Sequence, residues 1–423
     1  MIRRLPILAR LATRSLGRNA RRSLLTGAAM VVGVGLLAMS RAFAEGGHED
    51  WIESGVRLGT GHVALQAPNF HVRRTIEHRL GPAEVEAVLD ALEAPSLAAD
   101  ALAVAVRLEL QALASSAAAA VPVLVNGVDP DVERGFGELH EALEEGRYLE
   151  RGDRLHAFVG EQLAERLHLD IGSRLVLTAQ DASGDIAGQL VRVVGIFRTG
   201  LPEMDQRFVQ VPLETARAWV GAEGAATSIA VLLTSSRQVA SVSAALSERL
   251  TGQQDRVRVL PWQESMPGLE AAVKMDDFGD YIFHVVTLVI VALAIVNTIL
   301  MSVLHRTREF GVVRALGLTP RDTGAQVLIE GLLLSAVSGA IGIVVGIGVT
   351  WLFWREGLDF SGMMGEGIRG AGVMLDSVIY PQFTPRVLLQ SFTFVFAVGV
   401  LASLYPAYRA TKIEIADAMK FEE

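Results

Sequence analysis

Along this 423-residue chain the hydrophobic positions follow two regimes. In four places they form nearly unbroken apolar runs: Leu24–Ala44, Tyr281–Leu304, Val327–Phe353 and Val387–Leu404. Elsewhere they alternate, or recur every third or fourth residue, among mixed charges. A helix rises about 1.5 Å per residue, so each run is close to or above the length that crosses a hydrocarbon core of about 30 Å. The pattern predicts an α-helical membrane protein with transmembrane helices over 24–44, 280–304, 324–354 and 387–408. It leaves one large block, 45–279, in which no segment is apolar enough to span.

Charge orients the spans. Residues Met1 to Arg22 carry seven arginines and no acid, and Leu5, Leu8, Leu11 and Leu16 fall near helical spacing. This reads as a basic amphipathic helix, 1–23, lying on the inner membrane face. A signal peptide would also place charge before an apolar run. The long basic region, the run's length and the lack of a clean A-x-A site before Glu45 favour a retained span. Between the second and third runs, Arg306, Arg308, Arg314 and Arg321 outnumber Glu309 and Asp322. By the positive-inside rule both termini and the 305–323 segment are cytoplasmic. Block 45–279 and a short loop, 355–386, then lie outside, and 409–423 forms a cytoplasmic tail.

The outer block has the patterning of a mixed α/β domain. His62–Gln66 alternates like a strand, and Pro82–Leu92 reads as a helix with proline at its first position. Strands are expected at Ala101–Leu113, Val121–Val125, Arg174–Thr178, Leu190–Phe197, Phe208–Val211, Ser228–Leu233 and Val257–Leu260. Helices are expected at Gly160–Leu167, Leu213–Val220 and Val239–Leu250. Asp181–Gly188, DASGDIAG, reads as a polar hairpin tip in which Asp181, Ser183, Gly184 and Asp185 favour a turn and Ile186 is the one large apolar residue. The order suggests one α/β subdomain, 45–127 plus 225–275, interrupted by a second, 128–224.

The segment between the second and third spans is the most informative. Arg308 to Leu318 is amphipathic as a helix, with Phe310, Val312, Val313 and Leu316 on one arc. Glu309 lies on the same arc, with Arg306 one turn back as a possible partner. Gly311 and Gly317 weaken the helix, and Thr319-Pro320 ends it. Such a helix needs cover, from lipid headgroups or from a partner protein.

The run REFGVVRALG, Arg308 to Gly317, resembles the R-E-x-G-x-x-R-A-x-G signature of FtsX-like permeases, the membrane subunits of ABC transporters of the MacB and LolC/LolE type. Arg308, Glu309, Gly311, Arg314, Ala315 and Gly317 match position by position. The likeness extends to the N-terminal LATRSLGRNARRSLLTG, to Gly160–Asp205 and to the closing YPAYRATKIEIADAMKFE. It implies that 305–323 is a coupling helix docking on an ATPase through Arg308, Glu309, Phe310, Gly311, Val313, Arg314, Ala315, Leu316 and Gly317. It also implies a porter-like subdomain at 45–127 plus 225–275 and a sabre-like insert at 128–224. In LolC the corresponding outer hairpin hooks a periplasmic carrier; here it lacks an aromatic or proline anchor.

No G-x-x-x-x-G-K-[ST] occurs, so ATP and Mg would be bound by a separate ATPase dimer and this chain would carry no cofactor. The implied function is a non-enzymatic, inner-membrane permease that transmits motion to expel an apolar substrate, lipoprotein or lipid. Efflux of drugs or peptides through an adaptor and outer-membrane channel, and FtsX-like control of a cell-wall hydrolase, are the alternatives. Four spans per chain imply a second permease subunit, identical or paralogous, and contact with membrane lipid and with a periplasmic carrier or adaptor.

The remaining composition subtracts possibilities. A net charge of −9 argues against nucleic acid, and the absence of cysteine removes disulfides and thiolate metal sites. The histidines His62, His71, His78, His140, His156 and His168 are scattered without H-E-x-x-H spacing. Within the second span, His284 lies one turn from the interface, where snorkelling would serve it. Asn297 sits deeper and is expected to bond across a helix–helix or dimer contact. Met363, Met364 and Met374 could line an apolar path or simply pack.

Overall fold

A computed structural model describes residues 20–352, 357–359, 369–370, 373–374, 378–382 and 384–413, with the isolated positions 10, 13 and 14. The basic N-terminal segment, most of the 355–386 loop with Met363 and Met364, and most of the C-terminal tail lie outside the described residues. The chain divides into a helical unit, 1–47 with 276–359 and 378–423, and a unit consisting mainly of 48–275.

The helical unit contains the apolar parts of four helices, Ala20–Leu58, Pro267–His305, Pro320–Leu352 and Pro385–Thr411. Each is long and apolar enough to cross a membrane. The first two are far longer than their apolar runs. The polar stretch after Ala44 continues the first helix to Leu58, and the second begins at Pro267 rather than at 280. These extensions hold Val56, Leu269 and Val273, which are buried in the core of the second unit. Hydropathy marks where lipid is expected, not where a helix stops.

The bundle packs through small residues, because lipid gives apolar side chains no incentive to leave it for one another. Gly331 of the third span faces Ser403 of the fourth so closely that an added Cβ would overlap the hydroxyl oxygen, and Gly399 faces Ser335 in the same way. The hydroxyls are satisfied within their own helices, Ser335 donating to the Gly331 carbonyl and Ser403 to the Gly399 carbonyl.

The second unit is built on ten strands: β1 (Val63–Gln66), β2 (Ala101–Ser115), β3 (Ala120–Val128), β4 (Leu143–Gly146), β5 (His156–Gly160), β6 (Arg174–Gln180), β7 (Ile186–Phe197), β8 (Phe208–Pro212), β9 (Ser228–Leu233) and β10 (Arg258–Pro261). They form one sheet in the order β10-β1-β9-β2-β3-β8-β5-β7-β4, with β6 joining β7 back to β2. The ring β2-β3-β8-β5-β7-β6 is therefore closed, a small barrel without free edges on that side. Leu108, Leu110, Val125, Val159, Leu177 and Val209 are among the residues of its core. The other four-stranded part, β10-β1-β9-β2, is covered by the helices α1 (Pro82–Leu92) and α2 (Val239–Arg249) over a separate core.

This arrangement moves the expected subdomain boundary. The insert is expected to start at residue 128, yet β3 lies wholly within the barrel. The division falls inside β2: Ala101–Arg107 pairs with β9, whereas Leu108–Ser115 pairs with β3 and its last four residues also with β6. One strand serves both cores. At the changeover Arg107 is buried and grips Glu133 of the helix Pro130–Phe136. Its Nε donates to Oε2 at 3.1 Å and its Nη2 to Oε1 at 2.5 Å. Its Nη1 donates to the Gly59 carbonyl, and the guanidinium lies 4.5 Å from the Phe136 ring centroid.

The polar tip is shorter and less independent than its sequence suggests. β7 already begins at Ile186, pairing with Gln180, so the turn is only residues 181–185. One Asp181 oxygen accepts from the Ser183 N–H and hydroxyl and from the Asp185 N–H. The Ser183 hydroxyl and these amides hold the Asp181 carboxyl below its usual range. The Ala182 N–H donates to the Val220 carbonyl, and Trp219 Nε1 to the Ala187 carbonyl. The hairpin is thus tied down on its own domain. Ile186 projects from it, 82% exposed.

Candidate functional site

The arginine-rich segment between the second and third spans forms a short helix, Thr307–Ala315, bounded by Arg306 and by Gly317 with φ +106°. The next helix starts at Pro320. It is capped reciprocally: the Thr319 N–H and hydroxyl donate to Asp322 Oδ2, and the Asp322 N–H donates to the Thr319 hydroxyl. This is the capping-box logic with aspartate as the acid. The linker helix is therefore sharply bounded at both ends.

One side of it is fastened to the bundle. Arg306 Nη1 donates to both Glu330 oxygens at 3.0 Å, and its Nε donates to Glu309 Oε2 at 3.0 Å. Gln326 supports Glu330 through a 3.3 Å hydrogen bond. Arg306 and Glu330 are each only 8% exposed. The Arg306 guanidinium also lies 5.0 Å from the Phe310 ring centroid. Phe310 is buried and belongs to the same core as Val303, Val327, Ala407 and Ala410. One turn further on, Arg314 Nη1 donates to the Ile413 carbonyl. Residues 306, 310 and 314 recur every fourth position, so a single helix face makes these contacts.

The opposite side is exposed, with Glu309 on it reaching back to Arg306. Arg308, Glu309, Val312, Ala315, Leu316 and Gly317 are exposed, Val312 to 45% and Leu316 to 80%. The nine residues expected to dock on a partner are thus divided. Arg308, Glu309, Ala315, Leu316 and Gly317 face outward, Val313 and Arg314 are half-buried, and Phe310 and Gly311 are turned inward. The apolar arc expected from the sequence does not survive as one surface. A Phe310 ring that can cover a buried guanidinium and fill a core leaves the outer face to Val312 and Leu316.

The Arg306–Glu309 pairing follows the spacing expected from the sequence. Glu330 was not singled out there. Its signal was available, as an acid inside the apolar third helix, where an unpaired charge is costly and a partner is implied. Asn297, by contrast, is exposed on the outside of the bundle, in a row with Leu293, Met301 and Leu304. His284 Nδ1 is hydrogen-bonded to the Asp280 carbonyl of its own helix, one turn towards the helix start.

Comparison with known proteins places this geometry. Residues 281–415 match the FtsX-like permease C-terminal model, and residues 23–249, more than half of the chain, match the MacB-like periplasmic core domain. The chain belongs to the FtsX-like permease family. Among its relatives is the lipoprotein-releasing system transmembrane protein LolC of Neisseria meningitidis serogroup B. It is 23% identical over 319 residues, covering 74% of this chain and 76% of that protein. An uncharacterized ABC transporter permease, YknZ of Bacillus subtilis, is 23% identical over 56% of each chain. The macrolide export ATP-binding/permease protein MacB of Bdellovibrio bacteriovorus is 31% identical over 137 residues, 32% of this chain and 18% of that protein. As an FtsX-like ABC permease, the chain is expected to work with an ABC ATPase. The linker helix lies within the matched permease region.

Proposed function

We propose that this chain is the non-catalytic membrane subunit of an ABC transporter, in which a separate ATPase docks on the exposed face of the Thr307–Ala315 helix and drives release of a lipid-anchored substrate. The observation that carries the reading is the two-sidedness of that helix. Force applied to Val312 and Leu316 has a direct route into the third span through Arg306 and Glu330, and into the fourth through Phe310. ATP and Mg would be held by the partner. The linker helix would face the cytoplasm and the large domain the periplasm.

Lipoprotein release is favoured over drug efflux because the LolC relationship spans about three quarters of both chains, whereas the MacB relationship covers about a third of this one. A second permease subunit would cover the outer row of the second span. An amide such as Asn297 facing lipid without a partner is unfavourable, and a facing helix can satisfy it. The self-tied 181–185 tip makes capture of a carrier by that hairpin the less favoured mode, since it offers only Ile186 as an anchor.

The test is reconstitution of the chain with its cognate ATPase in lipid nanodiscs. Hydrolysis should rise on adding a triacylated lipopeptide and stay level with a macrolide. Stimulation by the macrolide alone would replace lipoprotein release with efflux.

A further inference from the structure

At the end of the bundle remote from the linker helix, the first, second and fourth spans leave a cavity of about 280 Å³. This lies near the lower end of small-ligand sites, which run from about 300 to 1,000 Å³. Leu37, Leu288 and Phe394 give it hydrocarbon walls, and Arg41, Asp277 and His284 give it polar groups.

The polar groups are incompletely used. His284 Nδ1 contacts the Asp280 carbonyl, which can only accept, so Nδ1 carries the proton. In the neutral ring Nε2 is then a bare acceptor. It is shielded from solvent and has no hydrogen-bond partner among the described residues. Arg41 forms no ion pair within 4 Å among the described residues; Asp280 is its electrostatic neighbour, and Asp276 and Asp277 also face that carboxyl. The cavity therefore presents a cation, a carboxylate and a buried acceptor beside an apolar wall.

A purely anionic ligand would suit Arg41 and be repelled by the aspartates. A purely cationic one would do the reverse. We propose that the cavity binds the headgroup of a zwitterionic aminophospholipid of the phosphatidylethanolamine class. Arg41 meets the phosphate. Asp277 and His284 Nε2 accept from the primary ammonium, and the start of one acyl chain lies along Leu37, Leu288 and Phe394. With the linker helix on the cytoplasmic side, the lipid enters from the outer leaflet. The assignment makes a discriminating demand. A choline headgroup has no N–H to donate, and a glycerol headgroup has no cation for Asp277.

The experiment is native mass spectrometry of the purified full-length chain titrated with phosphatidylethanolamine, phosphatidylcholine and phosphatidylglycerol of identical acyl chains. The wild type should retain the ethanolamine lipid with an apparent Kd on the order of tenfold below the other two. Asp277→Asn and His284→Phe should each bring that ratio towards one, and Arg41→Gln should weaken all three lipids. Equal retention of all three lipids by the wild type overturns the proposal without recourse to any variant. So does an ethanolamine preference unchanged in both Asp277→Asn and His284→Phe. A chain that retains no phospholipid while it elutes as a dimer would show instead that a second subunit fills the space.

Discussion

The large domain and the helical bundle each bury an arginine against a glutamate, and the two clamps differ in how they are completed. Arg107 is held on every side by fixed groups: both oxygens of Glu133, the Gly59 carbonyl and the Phe136 ring, with arginine and acid 3% and 5% exposed. Arg306 is shared between a buried acid, Glu330, and Glu309, whose side chain is 44% exposed on the outer face of the linker helix. The first clamp joins two cores at the strand they share. The second joins two spans and ends in a carboxylate that a docking partner can reach. Burying a charge pair is costly and gives little net stability, so each is better explained by what it fixes in place.

Substitution at either clamp separates their roles. The largest effect is expected from Arg107→Leu, which strands Glu133 in the protein interior. Breaking a buried pair by removing one partner costs about 3–5 kcal/mol. Thermal unfolding followed in the full-length chain should show a lowered transition for the large domain. An unchanged transition would mean that Glu133 finds water or another cation.

Glu330→Gln should cost less, about 1–3 kcal/mol, because one hydrogen bond to Arg306 can persist and Glu309 still balances its charge. Its signature is functional. The ATPase should still co-purify, but substrate-stimulated hydrolysis should fall. Loss of co-purification together with stimulation would show that Glu330 merely supports the docking surface.

The smallest effect is a pH dependence. His62 is fully buried, and the backbone N–H of Leu233 donates to its Nδ1. Burial pushes its pKa below the usual histidine value, opposed by the Glu53 carboxylate and reinforced by Arg57. The unfolded chain therefore binds the proton more readily than the folded one. The contribution of His62 is present above about pH 6.5 and is lost as pH falls from there towards the folded value. The melting temperature of the large domain should drop between about pH 7.5 and 5.5, the range around an ordinary histidine pKa, and the drop should be smaller in His62→Gln. Equal drops would assign the acid sensitivity to other groups.

Much of this architecture was legible in the chain. The apolar runs mark four helices long and apolar enough to cross a membrane, and Pro82–Leu92 and Ser228–Leu233 stand where proline at a helix start and a β-branched, aliphatic run placed them. Two strands of the ten-stranded sheet were missed for physical reasons. β4, Leu143–Gly146, is exposed along its whole length and acidic, so no face of it alternates, and β5, His156–Gly160, is buried through four consecutive residues beside a charged turn. The true subdomain division was invisible because β2 runs unbroken through it. Which sheet each half joins depends on partners far along the chain, such as β9. The same limit hid the docking geometry. Helical periodicity placed Phe310 and Leu316 on one arc, but only the packing of the fourth span shows that the first is buried and the second is not.

On this reading the face carrying Val312 and Leu316 docks the ATPase while Arg306 and Phe310 hold the helix to the bundle. The decisive substitution is Leu316→Asp. The position is 80% exposed, so the substitution should leave folding and membrane insertion unchanged, whereas at a docking contact it buries an unpaired charge at a cost of about 2–5 kcal/mol. Co-purification of the cognate ATPase should be lost from a chain that is otherwise monodisperse and inserted. A Leu316→Asp chain that retains its ATPase and its substrate-stimulated hydrolysis would rule out docking there and leave the exposed face to the lipid surface.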